Sequence, residues 1–407
     1  MKLIAGLDIG NGYVKGAVNG DGLSKIDIPS GVAGVMVSSD IKPSISEADE
    51  IFEDFYNNMD ASFNSPLVKD NMRRFFGKKG LQSGYSLQEF DVYSPVGKAQ
   101  QELSAILTLG CLAGKVVQDY WKANHKLPTT VLKADVRVAL ALPIGEYKKY
   151  RSSYADGYKN SNHIVTFYNF DQPMNVELHF EDVQVIAEGA SAQYAINSKG
   201  EELMEAMLAD VRKMGASLDG ITAKDVLAAM NTVGVDIGEG TVNFPVFQNG
   251  KFNPDVSLTF DKGYGSVMNR TLDRLQDKGI PFQSRKALVD FLQTPPTNIS
   301  RNKYNKVMSI VNEEITVFVN EIVMQFSKVM NRVGQQIEVI YIYGGGATPV
   351  RDSLYPAILE KAKVYGGGEV LLPILYLDSR YSRYLNREGL YVVADKVAKA
   401  TATRKSK

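Results

Sequence analysis

At 407 residues the chain is too long for one ordinary core and is expected to form two domains. Its composition, 44% hydrophobic and 23% charged, is that of a globular protein and excludes a disordered or fibrous chain. Forty-six basic residues balance forty-six acidic ones, so no overall field draws the chain to nucleic acid or anionic lipid. A single cysteine, Cys111, excludes an intrachain disulfide and suits a reducing cytosol. The apolar stretch near the N-terminus is too short for a signal peptide, and runs such as 136–144 and 370–377 fall short of the roughly 20 residues a membrane span needs. The expectation is a cytoplasmic protein without direct contact to membrane or nucleic acid.

Residues 3–9 predict a buried strand that ends at Gly10-Asn11-Gly12, and residues 13–18 a second strand turning at 19–22. Residues 30–100 lack strong periodicity and are expected to form an elaborated surface subdomain. A helix follows over 100–121, with Leu103, Ile106, Leu107, Leu109, Leu112 and Val116 on one stripe and Cys111 as inert core. Residues 136–142 predict an apolar strand closed by Pro143, and 175–187 two further strands. Residues 196–230 read as a helical insert, with a second helix at 223–230. Strand, turn and strand then recur: 232–237, Gly238-Glu239-Gly240, 241–247, and a turn at Asn249-Gly250. The long helix predicted over 307–333 places Val307, Val311, Ile315, Phe318, Ile322, Phe326 and Val329 on one buried face. It feeds a strand at 337–343 that ends in Gly344-Gly345-Gly346 and another helix start.

Two of these segments repeat. Gly6, Asp8, Ile9, Gly10, Gly12, Val14 and Val18 match Gly234, Asp236, Ile237, Gly238, Gly240, Val242 and Val246 at an offset of 228 residues. A repeat placed once in each half implies two related domains, each giving one turn to a shared site. Glycines let successive backbone N–H groups converge on an anion. A strand-end aspartate beside them can hold water around Mg²⁺, which prefers an oxygen shell and keeps several waters. A dinucleotide-binding loop would need a helix directly after the glycines, whereas residues 13–18 and 241–247 are β-branched or aromatic-rich. Two ordinary hairpins are the remaining alternative. No Gly-Lys pair precedes Ser or Thr, so a P-loop is excluded, a G-x-S-x-G elbow is missing, and His125, His163 and His179 have no metal-ligand spacing.

The motifs D-I-G-N-G-Y-V-K (8–15), V-D-I-G-E-G-T (235–241) and Y-G-G-G-A (343–347), in this order, resemble the two phosphate loops and the adenosine motif of the actin/Hsp70/sugar-kinase superfamily. A-L-A-L-P-I-G-E-Y (139–147), V-Q-V-I-A-E-G-A-S-A-Q-Y (183–194) and N-R-E-G-L-Y (386–391) are similar to segments of the ParM/StbA plasmid-segregation actins. The resemblance implies an α/β, actin-like fold of two related domains with helix-flanked sheets and a nucleotide cleft between them. The first would span 1–188, with a subdomain at about 25–100 and the C-terminal helix 386–407 joined to it. The second would span 189–385, with the insert at 196–230 and a small subdomain at about 262–305.

It further implies ATP, with GTP an open alternative, and Mg²⁺ as cofactors. Asp8 and Asp236 would orient the hydrated metal. Gly10, Asn11, Gly12, Lys15, Gly238, Glu239, Gly240 and Thr241 would bind phosphates. Gly344, Gly345 and Gly346 would let the backbone approach adenosine, and Glu188 would position the attacking water and accept its proton. Glu146 is a rival acid, expected on an exposed turn. Asn11 and Glu239 depart from the pattern, since a carboxylate facing phosphates repels them. The implied activity is an ATPase whose homopolymer segregates plasmid DNA through a DNA-binding adaptor protein. A sugar-type kinase, a chaperone-like ATPase and a cell-division scaffold are alternatives on the same fold.

Overall fold

The computed structural model describes residues 1–35, 42–91, 94, 96–214, 218–365, 372–377 and 379–405. They form two compact units, Met1–Ser198 with Tyr384–Lys407, and Lys199–Arg383.

The first unit is built on a ten-stranded sheet. Strands β1 (Lys2–Ile9), β2 (Tyr13–Gly20) and β3 (Gly22–Pro29) form an antiparallel meander, followed by the short β4 (Val32–Val35). Helices α1 (Ala48–Glu53) and α2 (Phe55–Asn58) lead to β5 (Asp60–Asn64) and β6 (Arg73–Phe76). Then come α3 (Gly77–Gln82), β7 (Leu87–Gln88), the long α4 (Glu102–Asn124) and β8 (Leu132–Leu142). Helix α5 (Ile144–Lys159), β9 (His163–Phe167) and β10 (Met174–Ala187) complete the sheet, whose order is β3-β2-β1-β8-β10-β9-β5-β6-β4-β7. Strand β8 runs parallel to both β1 and β10, and its last five residues, 138–142, are apolar and buried on both faces, as a segment covered on two sides must be. Helix α4 is buried around most of its circumference, so every residue of its predicted stripe is core. Burial in that helix pushes the Cys111 thiol up to about 12 and leaves it inert as a nucleophile.

Helix α6 (Ala190–Lys213) leaves β10 and breaks at Gly200, whose φ of 68° and ψ of −151° are not helical. In the second unit α7 (Ala223–Ala228) precedes β11 (Thr232–Ile237), β12 (Val242–Phe244), β13 (Val246–Gln248), β14 (Lys251–Phe252) and β15 (Leu258–Phe260). Helices α8 (Tyr264–Asp277), α9 (Arg285–Gln293) and α10 (Arg301–Val333) follow, then β16 (Val339–Tyr343), α11 (Ala347–Tyr365), β17 (Ile374–Tyr376) and α12 (Ser379–Ser382). All seven apolar positions predicted for α10 are buried. The chain then returns to the first unit as α13 (Leu385–Lys405), where Leu390 and Ala394 pack on Ala139 and Ala141 of β8. Among the described residues no helix is long and apolar enough to cross a membrane.

The repeat extends to topology. In the first sheet the path β3-β2-β1-β8-β10 has an antiparallel hairpin on one side of β1 and two parallel strands on the other. In the second, β15-β12-β11-β16-β17 repeats it strand for strand.

Four expectations are corrected. The described residues of 30–100 are not a surface elaboration. Their strands extend the main sheet, and Val32, Phe52, Phe55, Phe63, Phe75 and Phe76 are core; a few apolar residues spread over short helices and strands leave no periodicity to read. The two strands expected within 175–187 are one long strand with a bulge between Phe180 and Asp182, which adds a residue without ending the pairing. The strand expected at 241–247 is two strands, because Pro245 lacks the N–H that would continue the ladder. The helical insert expected from residue 196 starts inside a helix that begins at Ala190, and a separate helix follows the break at Gly200.

Candidate functional site

The residues singled out from the sequence fall into one group per unit, each at the carboxyl ends of parallel strands, where open α/β sheets bind ligands. In the first unit Asp8, near the end of β1, stands opposite Lys15 on β2. The Gly10 N–H donates to the Tyr13 carbonyl at 3.0 Å and closes the turn. Ser30 ties the same loop from β3's end, its hydroxyl donating to the Gly10 carbonyl at 2.5 Å and its N–H to that of Gly12 at 3.0 Å. Asp8 is buried, which pushes its carboxyl above the usual range; Lys15 and Lys98 oppose that shift and Glu188 adds to it.

Glu188 directly follows β10. Its N–H donates to the Leu142 carbonyl at the end of β8, at 2.7 Å, and Gly189, at φ 78°, turns the chain into α6. The Glu188 carboxylate accepts from Lys98 Nζ at 2.6 Å, and the two side chains are only 12% and 6% exposed. Glu146 is not on an exposed turn. It lies half-buried in the first turn of α5, and both its oxygens are taken by backbone N–H groups, Lys98 at 3.0 Å and Ala99 at 2.7 Å.

In the second unit Asp236 stands opposite Asn243. The Gly238 N–H donates to the Thr241 carbonyl at 2.9 Å, the same closure 228 positions on. The first turn of α8 docks on this loop, with the N–H groups of Tyr264 and Gly265 donating to the carbonyls of Gly238 and Glu239 at 3.0 and 2.9 Å. The Glu239 side chain is held by Arg285 Nη1 at 2.6 Å. Gly344 begins the link from β16 to α11 at φ 100°; a Cβ there would stand 2.4 Å from the Ile237 carbonyl oxygen and 2.6 Å from Asp236 Oδ1. Only glycine fits that position, because the conformation is left-handed and the approach to β11 is close. The Gly346 N–H donates to the Ile237 carbonyl at 2.8 Å, so Gly344, Gly345 and Gly346 lie beside the Asp236 turn. Burial beside Asp236 raises the Tyr343 hydroxyl far above its ordinary value.

Neither glycine turn opens into a helix; both run into antiparallel strands, which excludes a dinucleotide-binding loop. Among the described residues no group of three or more His, Cys, Asp or Glu is gathered for a metal. A lone strand-end carboxylate at each turn fits a hard cation that keeps most of its waters, as Mg²⁺ does, rather than a caged ion. His163 is a satisfied core residue, its ring nitrogens bonded to the Ser65 hydroxyl at 2.8 Å and the Tyr158 carbonyl at 2.9 Å.

Lys98, the backbone contacts of Glu146, the docking of α8 and the partner of Glu239 were not legible in the sequence. Lys98 sits 90 positions from Glu188 in an aperiodic segment, and no local pattern links them. The glycines at 263 and 265 were the one available signal for α8.

The family model described as Actin like proteins N terminal domain matches residues 6–190, and that for Archaeal actin homologue MreB-like, C-terminal, matches 234–355. No curated protein matches. Among solved structures, the actin-like protein Alp7A is similar at a TM-score of 0.64 and 14% identity, over 100% of both chains. ParM from Bacillus thuringiensis, solved with ATP, is similar at 0.58 and 15%, over 98% of this chain and 99% of that one. The archaeal actin homologue Ta0583 is similar at 0.61 and 12%, over 97% and 99%.

Proposed function

We propose that this chain, an actin-like protein with a ParM-type fold, binds ATP and hydrolyses it while cycling through a homopolymer filament. The observation that carries this reading is the doubled turn: the same Asp, the same register and the same Gly-to-i+3 closure in both units. The N–H groups of Asn11, Gly12, Glu239, Gly240 and Thr241 serve as phosphate donors, Gly10 and Gly238 close the turns that aim them, and Lys15 adds a cation. Gly344, Gly345 and Gly346 take the adenosine. Asp8 and Asp236 would hold Mg²⁺, which would supply charge that offsets the phosphates. Glu188 orients water for attack on the γ-phosphorus and accepts its proton as the bond to ADP breaks.

In this reading ATP favours the polymer and hydrolysis weakens it. The work done is segregation of plasmid DNA in the cytoplasm through a DNA-binding adaptor. A net charge of zero supports indirect rather than direct DNA contact. Sedimentation with and without Mg-ATP, checked by electron microscopy, tests the proposal. Filaments above a critical concentration, only with nucleotide, are expected; monomer across a wide concentration range would remove polymerisation from it.

A further inference from the structure

The buried Lys98–Glu188 pair has a cost that demands a reason. Taking two charges out of water is repaid only by good geometry, and an apolar pair of similar volume is often as stable. Here the geometry is fixed from three directions. Glu188 is set by its own N–H on the end of β8 and by the left-handed Gly189 that follows it. Lys98 lies in a 3-10 turn, Lys98–Gln100, whose first two N–H groups are gripped by the two oxygens of Glu146 from α5. The Glu146 carboxylate also lies where a side chain at Gly97 would be, 2.5 Å from a Cβ built there. Both units of the grip therefore reach back to β8: Glu146 stands four residues beyond its last residue, and Glu188 bonds to that residue's carbonyl.

The ammonium held in this way faces two carboxylates. Burial alone would pull the Lys98 pKa down, but Glu188 and Asp8 outweigh it and hold it above the ordinary lysine value. A carboxylate that must accept a proton from water has to keep one orientation before water arrives. A fixed cation 2.6 Å away meets that need.

We propose that Lys98 is a positioning residue for hydrolysis, holding the Glu188 carboxylate in its working orientation, and that Glu146 is the backbone clamp that places Lys98 rather than a second acid. The proposal rests on Glu188 being the base. Lys98 acts through Glu188 and need not touch phosphate, so its loss should show in turnover and not in nucleotide binding.

The test is steady-state ATP hydrolysis and nucleotide affinity for the full chain and for Lys98→Met, Glu188→Gln and the double variant. Lys98→Met is expected to lower kcat about 10²-fold with KM and ATP affinity changed less than about threefold. In the double variant the two losses should not multiply, because one removes what the other serves. Where Lys98→Met does not fold, Lys98→Gln, which keeps a donor toward Glu188, replaces it with a smaller loss in the same direction. A kcat within about threefold of wild type for the Lys98 variant, beside an inactive Glu188→Gln, would overturn this proposal and leave the base intact. Fully multiplicative losses, or a loss confined to ATP affinity, would overturn it as well. Unchanged turnover in Glu188→Gln would overturn the base and the proposal together.

Discussion

The Asp8 turn and the Asp236 turn rest on the same strand pairing, yet what surrounds them differs in kind. Opposite Asp8 is a lysine; opposite Asp236 is Asn243, a neutral side chain that accepts from the Thr259 hydroxyl at 2.8 Å. Behind the first turn lies a buried ion pair, Lys98–Glu188. Beside the second lies a half-exposed one, Glu239–Arg285, in which each side chain keeps nearly half its surface in water. Where β8 leaves its sheet through Pro143, β16 leaves through three glycines, of which Gly344 and Gly346 approach β11 closely. The duplicated scaffold has thus kept its hydrogen bonds and divided its chemistry. A buried ion pair accompanies the first turn, and close backbone contacts accompany the second.

That division can be broken by substitution. The largest effect is expected from Glu188→Gln, with single-turnover phosphate release slowed by about 10²- to 10⁴-fold and ATP-dependent assembly retained. Removing a carboxylate from the second unit, Glu239→Gln, should leave the rate within a few-fold.

Gly344→Ala is the matching insult beside the second turn. The Cβ meets the Ile237 backbone in a left-handed conformation, and a loss of about 3 kcal/mol in unfolding free energy is expected from denaturant titration. Lys15→Asn makes the first turn copy the second. ATP affinity by calorimetry is expected to weaken about tenfold, the worth of one charge-assisted hydrogen bond. An unchanged affinity would mean that Lys15 serves the strand and not the phosphates.

The smallest effect is expected at Arg285→Ala. An exposed pair contributes less than about 0.5 kcal/mol to stability. Its loss frees the Glu239 carboxylate beside the turn, and ATP affinity should fall by no more than about threefold and return in the Glu239→Gln background.

Much of this was legible from residues alone, for reasons that the structure makes plain. The repeat was readable because each turn is local: Asp, glycines and β-branched residues lie within ten positions, and hairpin geometry dictates their types. The faces of α4 and α10 were readable because long buried helices force apolar spacing. The extension of the first sheet through β4, β5, β6 and β7 was not, since strands of two to five residues carry too little alternation. Lys98 was beyond reach for another reason. Its meaning comes from Glu146 and Glu188, 48 and 90 positions away, and only the fold brings them together.

The most direct measurement of whether both turns bind phosphate is backbone hydrogen–deuterium exchange of the full chain with and without Mg-ATP. Slower exchange is expected in peptides spanning 8–15 and in those spanning 236–243, together. Protection at neither turn, with ATP bound elsewhere or not at all, would contradict the doubled-turn site on which the proposed activity stands.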